Sequence, residues 1–98
     1  MNFELIKSGQ FTRKAAKLLK SNPALKDSFV RTLHLLIEDP FTPSLRTHKL
    51  KGQLESSYSC SINFEYRLIF KIFYESELGN NKNKIIFLET IGTHDEVY

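Results

Sequence analysis

The stretch Tyr66-Arg67-Leu68-Ile69-Phe70-Lys71-Ile72-Phe73-Tyr74 decides the architecture, because it is apolar on both sides of an extended chain. Tyr66, Leu68, Phe70, Ile72 and Tyr74 fall on one side of the two-residue repeat, and Arg67, Ile69, Lys71 and Phe73 on the other. A strand with neither face fully wet belongs in the middle of a sheet, so residues 66–74 are predicted as a central strand. Just upstream, Tyr58, Cys60 and Ile62 alternate with Ser57, Ser59, Ser61 and Asn63, the pattern of a strand with one buried and one wet face. Asn63-Phe64-Glu65 between them reads as a turn. Downstream, Gly79-Asn80-Asn81 marks a long hairpin loop over residues 75–84, and a last strand over 85–91 is ended by Gly92.

The first half is helical. Residues 1–6 form a short strand with Phe3 and Leu5 on one face, and Ser8 can cap a helix over 10–20 whose apolar positions are Phe11, Ala15, Leu18 and Leu19. Ser21-Asn22-Pro23 breaks it. With Asn22 as cap and Pro23 at the first helical position, a second helix carries Leu25, Phe29, Leu33, Leu36 and Ile37 and stops at Asp39, before Pro40. The order β-α-α-β-β-β predicts an α+β domain: a two-helix hairpin on one face of a mainly antiparallel four-stranded sheet.

Composition sets the bounds. A chain of 98 residues fits one domain, residues 1–98, with a core about two layers thick and no deep cofactor cleft. At 41% hydrophobic, with three Pro and four Gly, it is neither disordered nor low-complexity. No apolar run approaches the ~20 residues that span a bilayer, and the first residues lack a signal-peptide pattern. A single cysteine, Cys60, permits no internal disulfide. A cytoplasmic protein is expected.

The net charge of +3 is modest but unevenly placed. Lys7, Arg13, Lys14, Lys17, Lys20 and Lys26 follow one another without an acid, as do Arg46, Lys49 and Lys51. Such tracts suit a polyanion or an acidic protein, and a solvated helix face produces the same pattern.

Several chemistries are excluded. His34, His48, His94 and Cys60 are too scattered for a structural zinc site, and the chain carries no phosphate-binding glycine loop, nucleophile elbow or dinucleotide fingerprint. What remains is a set of acid, base and cationic groups that hairpins could gather. The aperiodic loop 40–56 holds His48 and Lys49, the central strand Arg67, and the C-terminal end His94 and Tyr98. Metal-free RNA cleavage needs a base for the 2′-hydroxyl, an acid for the departing 5′-oxygen and cations for the phosphorane, and these residue types supply all three. Each also has a structural reading: Arg67 can pair with Glu65 or Glu89, His34 can pack partly buried in its helix, and Tyr98 can fray.

The strings His48-Lys49-Leu50-Lys51-Gly52, Tyr66-Arg67-Leu68-Ile69-Phe70 and Ile91-Gly92-Thr93-His94-Asp95-Glu96-Val97-Tyr98, in this order of elements, resemble the RelE/ParE superfamily of bacterial toxins, most nearly its YafQ-type branch. The resemblance implies a toxin of a type II toxin-antitoxin pair, a metal-independent endoribonuclease that cuts mRNA in the ribosomal A site and needs no cofactor. By that likeness His48 and His94 transfer protons, Arg67 holds the scissile phosphate, Tyr98 packs on a base, and Glu65 occupies the place of an acid ahead of the strand aromatic. Arg46, Lys49, Lys51 and Lys71 are the cationic candidates for RNA contact.

Implied partners are a cognate antitoxin, the ribosome with its mRNA, and operator DNA through the antitoxin alone, with no membrane. Where the branch carries an acid and a second histidine, this chain has Ser59 and Ser61, which thins the proton-transfer set. The loop 75–84 is longer than the family pattern. The main rival, also implied by the likeness, is a ParE-like gyrase inhibitor of the same fold; a third reading is a non-catalytic binding module.

Overall fold

The computed structural model describes residues 2–50, 57–76 and 82–97. Strand β1 (Glu4–Lys7) leads into helix α1 (Gly9–Ser21), a 3₁₀ turn at Pro23–Leu25, and helix α2 (Lys26–Glu38). A second 3₁₀ turn at Pro43–Leu45 precedes the two-residue strand β2 (His48–Lys49). Then come β3 (Tyr58–Ser61), β4 (Tyr66–Ser76), β5 (Lys82–Thr93) and a closing helical turn α3 (His94–Val97). Among the described residues no helix is long and apolar enough to cross a membrane.

The helices form where the spacing places them. Ser8 caps α1: its hydroxyl accepts from the Phe11 amide at 2.9 Å and donates to the Glu89 carbonyl at 2.8 Å, tying the helix to the sheet. Pro23 does sit at a first helical position, but Asn22 makes no side-chain cap and the segment opens as a 3₁₀ turn, with α2 proper starting at Lys26. Phe11 and Phe29 stack between the helices at 6.2 Å. With Ala15, Leu25 and Leu36 they bury against Cys60, Ile62, Leu68, Phe70, Ile86, Leu88 and Ile91 from one face of the sheet.

The sheet has five strands rather than four, in the order β1-β5-β4-β3-β2. β2 to β5 are successive antiparallel neighbours, and β1 pairs in parallel with β5, from Glu4 opposite Ile85 to Lys7 opposite Leu88. The helices carry the chain from β1 to the far edge, so β5 arrives beside β1 only at the end. The quoted stretch is central, with Leu68, Ile69 and Phe70 each at most 2% exposed. The expected loop 75–84 is shorter than its sequence suggests, because β4 runs to Ser76 and β5 begins at Lys82, with Ser76 opposite Lys82.

One irregularity governs β5. Ile69 lies opposite Thr90 but Phe70 lies opposite Leu88, which leaves Glu89 as an extra residue. The bulge shifts the alternation by one, so Ile86, Leu88 and Ile91 all reach the core under the helices.

Candidate functional site

The sheet face away from the helices collects most of the sequence candidates. Residues directly opposite in register share a face, so His48, Ser59, Ile69 and Thr90 form one row across β2, β3, β4 and β5. Ser61, Arg67 and Gly92 form the next. Lys71, two residues beyond Ile69, is on the same face and half-buried. Lys49 is not: it lies opposite Tyr58, on the helix side, because alternation along β2 turns it away from His48. Arg46 is exposed in a left-handed conformation, φ 51°, that ends the second 3₁₀ turn. Glu65 is exposed in the turn before β4, where Asn63 Oδ1 accepts from the amides of Glu65 and Tyr66 at 2.9 and 2.8 Å. The predicted Tyr98 and Lys51 lie outside the described residues.

Arg67 has neither acidic partner that the sequence offers. Its Nη1 donates to Ser61 Oγ at 2.7 Å and to the Asn63 carbonyl at 3.1 Å, both neutral acceptors. Glu89 instead accepts from Ser57 Oγ at 2.5 Å, across β4. Among the described residues no carboxylate pairs with the guanidinium, which keeps donors to spare for an anion in fork geometry. Ser61, standing where the resembling family has a histidine, serves to hold Arg67.

The two imidazoles are set by different devices. His48 Nδ1 lies 3.2 Å from the Arg46 carbonyl; a carbonyl only accepts, so Nδ1 carries the proton and Nε2 is the basic nitrogen of the neutral ring. His94 opens α3, with its Nδ1 3.9 Å from Asp95 Oδ1. Thr93 and Glu96 cap that turn reciprocally: the Thr93 amide donates to Glu96 Oε1 at 2.8 Å, and the Glu96 amide to Thr93 Oγ1 at 3.3 Å. Hydrogen bonding to its carboxylate from the Thr93 backbone amide, and then from the Thr93 side chain, lowers the Glu96 carboxyl from its ordinary value. Val97 then closes a small apolar cluster with Leu50 and Ile69. The cluster seats α3 on the His48 face of the sheet, with His48 two residues before Leu50 and His94 three before Val97.

Two positions take places in the candidate site that differ from the sequence reading. Gly92 does not end the last strand; it lies within β5 opposite Arg67, and a Cβ there would sit 3.1 Å from both Glu96 Cβ and Val97 Cγ1. Its lack of a side chain lets α3 fold back. Glu89 is the second, a half-buried carboxylate placed by the bulge on the catalytic-candidate face. Its signal in the sequence is the break of parity from Ile86 and Leu88 to Ile91. His34, expected to pack partly buried, is exposed. Cys60 is fully buried, and burial pushes its thiol up to about 12 against the opposing pull of Arg67, so it is no nucleophile. Among the described residues no group of His, Cys, Asp and Glu could hold a metal ion.

No protein-family model and no curated protein matches this chain. Solved structures do. YafQ from E. coli strain BL21(DE3) superposes with a TM-score of 0.73 at 19% identity over 98% of each chain. A YoeB/ParE toxin from Agrobacterium tumefaciens gives 0.73 at 14% identity, covering 94% of this chain and 99% of its own. The E. coli DinJ-YafQ toxin-antitoxin complex gives 0.72 at 20% identity, covering 100% and 99%. The chain therefore has, over its whole length, the fold of the YafQ and YoeB/ParE toxins.

Proposed function

We propose that this chain is the toxin of a toxin-antitoxin pair and acts as a metal-independent endoribonuclease on mRNA in the ribosomal A site. The observation that carries the reading is Arg67: a sheet-borne guanidinium with no carboxylate partner among the described residues, one register row from His48, under a turn that returns His94 to the same face. The shared fold with YafQ supports the toxin assignment, and the DinJ-YafQ complex supports a cognate antitoxin as partner.

In the mechanism, the 2′-hydroxyl attacks the adjacent phosphorus while His48 Nε2 takes its proton. Arg67 binds the non-bridging oxygens as charge builds on the phosphorane, and His94 protonates the departing 5′-oxygen. The P–O5′ bond breaks, leaving a 2′,3′-cyclic phosphate and a 5′-hydroxyl. Ser59 and Ser61 cannot exchange protons near neutral pH, so the two imidazoles carry both transfers.

End-group analysis of the cleaved message tests the reading. Cyclic phosphate and 5′-hydroxyl ends, lost in His94→Ala with folding intact, are expected. Ends bearing 5′-phosphate, or a strict need for divalent metal, would sink it. Intact message beside impaired DNA supercoiling would point instead to a gyrase-directed toxin.

A further inference from the structure

A second cationic site lies at the end of the sheet, beyond the row that holds His48. Arg31 of α2, Arg46 after the second 3₁₀ turn and Arg67 of β4 line one cavity of about 240 Å³, together with Ser44, Asn63 and Phe64. Among the described residues the lining contains no acid, and none of the three arginines has a carboxylate within ion-pair distance. Three guanidiniums around one small volume, whose other polar side chains are hydroxyls and an amide, make a site for an anion with several oxygens.

The rim narrows the choice. Phe64, at the tip of the β3–β4 turn, is 94% exposed, more than any other large apolar side chain among the described residues. Asn63 Oδ1 fixes the turn under it by accepting two backbone amides. The ring is thus held out over an arginine pocket by a rigid turn, instead of packing. Carboxylates alone leave that ring uncovered, whereas a single nucleotide brings both the phosphate and a flat base to stack on it. The cavity accepts a phosphate and part of its sugar, and is too small for an element of secondary structure.

We propose that this pocket is a nucleotide subsite of single-stranded RNA. Arg31 and Arg46 bind a phosphate flanking the one that is cut, Phe64 stacks the base beside it, and Arg67 links the subsite to the catalytic face. The proposal rests on the ribonuclease reading and extends it with Arg31 and Phe64, two residues outside the proton-transfer set. Arg67, bonded to Ser61 and Asn63 at the mouth of the turn, stands where the two regions meet.

The test is fluorescence anisotropy of the full chain with a short single-stranded 2′-O-methyl RNA, which cannot be cleaved, across a salt series. Arg31→Gln and Phe64→Ala both alter exposed side chains, and circular dichroism confirms their folding. Lys20→Gln, the same charge change outside the cavity, is the control. Arg31→Gln is expected to weaken binding several-fold and to lower the salt slope by about 0.7, one phosphate contact on a single strand. Phe64→Ala is expected to weaken binding about five- to hundred-fold with the slope unchanged, the usual size of one base–aromatic stack.

If both variants bind like Lys20→Gln while Arg67→Ala loses RNA, the subsite is wrong and the reading of the sheet face survives. If the wild type does not bind the RNA, both fall. If poly-aspartate displaces the RNA, and Arg31→Gln weakens poly-aspartate binding where Phe64→Ala does not, the pocket serves an acidic protein and the proposal is overturned.

Discussion

Replacing Gly92 by Ala isolates the device that returns His94 to the sheet. The new methyl would sit 3.1 Å from Glu96 Cβ, 3.1 Å from Val97 Cγ1 and 3.2 Å from Glu96 Oε1, each a few tenths of an ångström inside ordinary contact. Gly92 has no positive φ, so alanine strains nothing in the backbone and sterics alone decide. Two of the three atoms lie close to the main chain, and the capping bonds between Thr93 and Glu96 prevent α3 from yielding freely.

Overpacking of this kind costs roughly 1–3 kcal/mol, offset by about 0.4–1 kcal/mol from the stiffer unfolded chain. The net loss, about 0.5–2 kcal/mol, lowers the melting temperature by several degrees in a domain of this size. Relief comes by lifting α3, which displaces His94, and under the proposed mechanism a shift of the proton donor by about 1 Å slows cleavage by up to about a hundredfold. Gly9→Ala is the matched control, since its Cβ would meet only the mobile tip of Arg13 at 3.2 Å. Thermal denaturation and single-turnover cleavage of both variants make the assay. A Gly92→Ala protein as stable and as active as Gly9→Ala would refute the role given to the close approach.

Other perturbations follow from the same geometry. Ser61→Ala removes the hydroxyl that holds Arg67 Nη1; a hydrogen bond to a charged group contributes about 1.5–3 kcal/mol to stability, so the melting temperature should fall by several degrees and cleavage should slow as Arg67 loses its anchor, and unaltered kinetics would count against the positioning role. The Glu96 carboxyl is depressed by its bonds to Thr93, so its contribution is present above the usual carboxylate range and lost as pH falls through the lower folded value. The stability gap between wild type and Glu96→Gln should therefore be open at neutral pH and close in acid; a gap that widens on acidification would contradict the cap. Cys60, buried and with its thiol raised to about 12, should resist alkylation in the native protein and react once denatured, whereas rapid native labelling would show that β3 opens.

The parts of the fold written in local pattern were legible, and those made by long-range pairing were not. β4 reads from its two apolar sides, and the α1 cap from Ser8 and the helical spacing behind it. β2 does not, because two residues on a sheet edge carry no alternation. The parallel pairing of β1 with β5 also leaves no local trace, since partners more than 80 residues apart in sequence meet only in the folded sheet. α3 did have a signature, Thr93-x-x-Glu96, but four residues after a glycine read more simply as a tail. The bulge at Glu89 was masked by Phe87, which keeps the run 85–88 apolar on both sides and hides the change of parity.

In the site, His48, Arg67 and His94 were nameable from residue type and resemblance. That Lys49, a candidate for RNA contact, lies on the helix side of β2 has no trace in the sequence, because a two-residue strand gives no register of its own. Arg31 and Phe64 were invisible as a pair, because α2 and the β3–β4 turn come together only through the packing of the helices on the sheet.

The central claim, metal-free cleavage of mRNA around Arg67, is tested most directly by adding the purified protein to a translating system containing a chelator and mapping message ends by primer extension, with Arg67→Ala alongside. Codon-phased cuts that persist under chelation and vanish in Arg67→Ala are the expected result. Intact message with the wild type, or cuts that Arg67→Ala makes equally well, would contradict it.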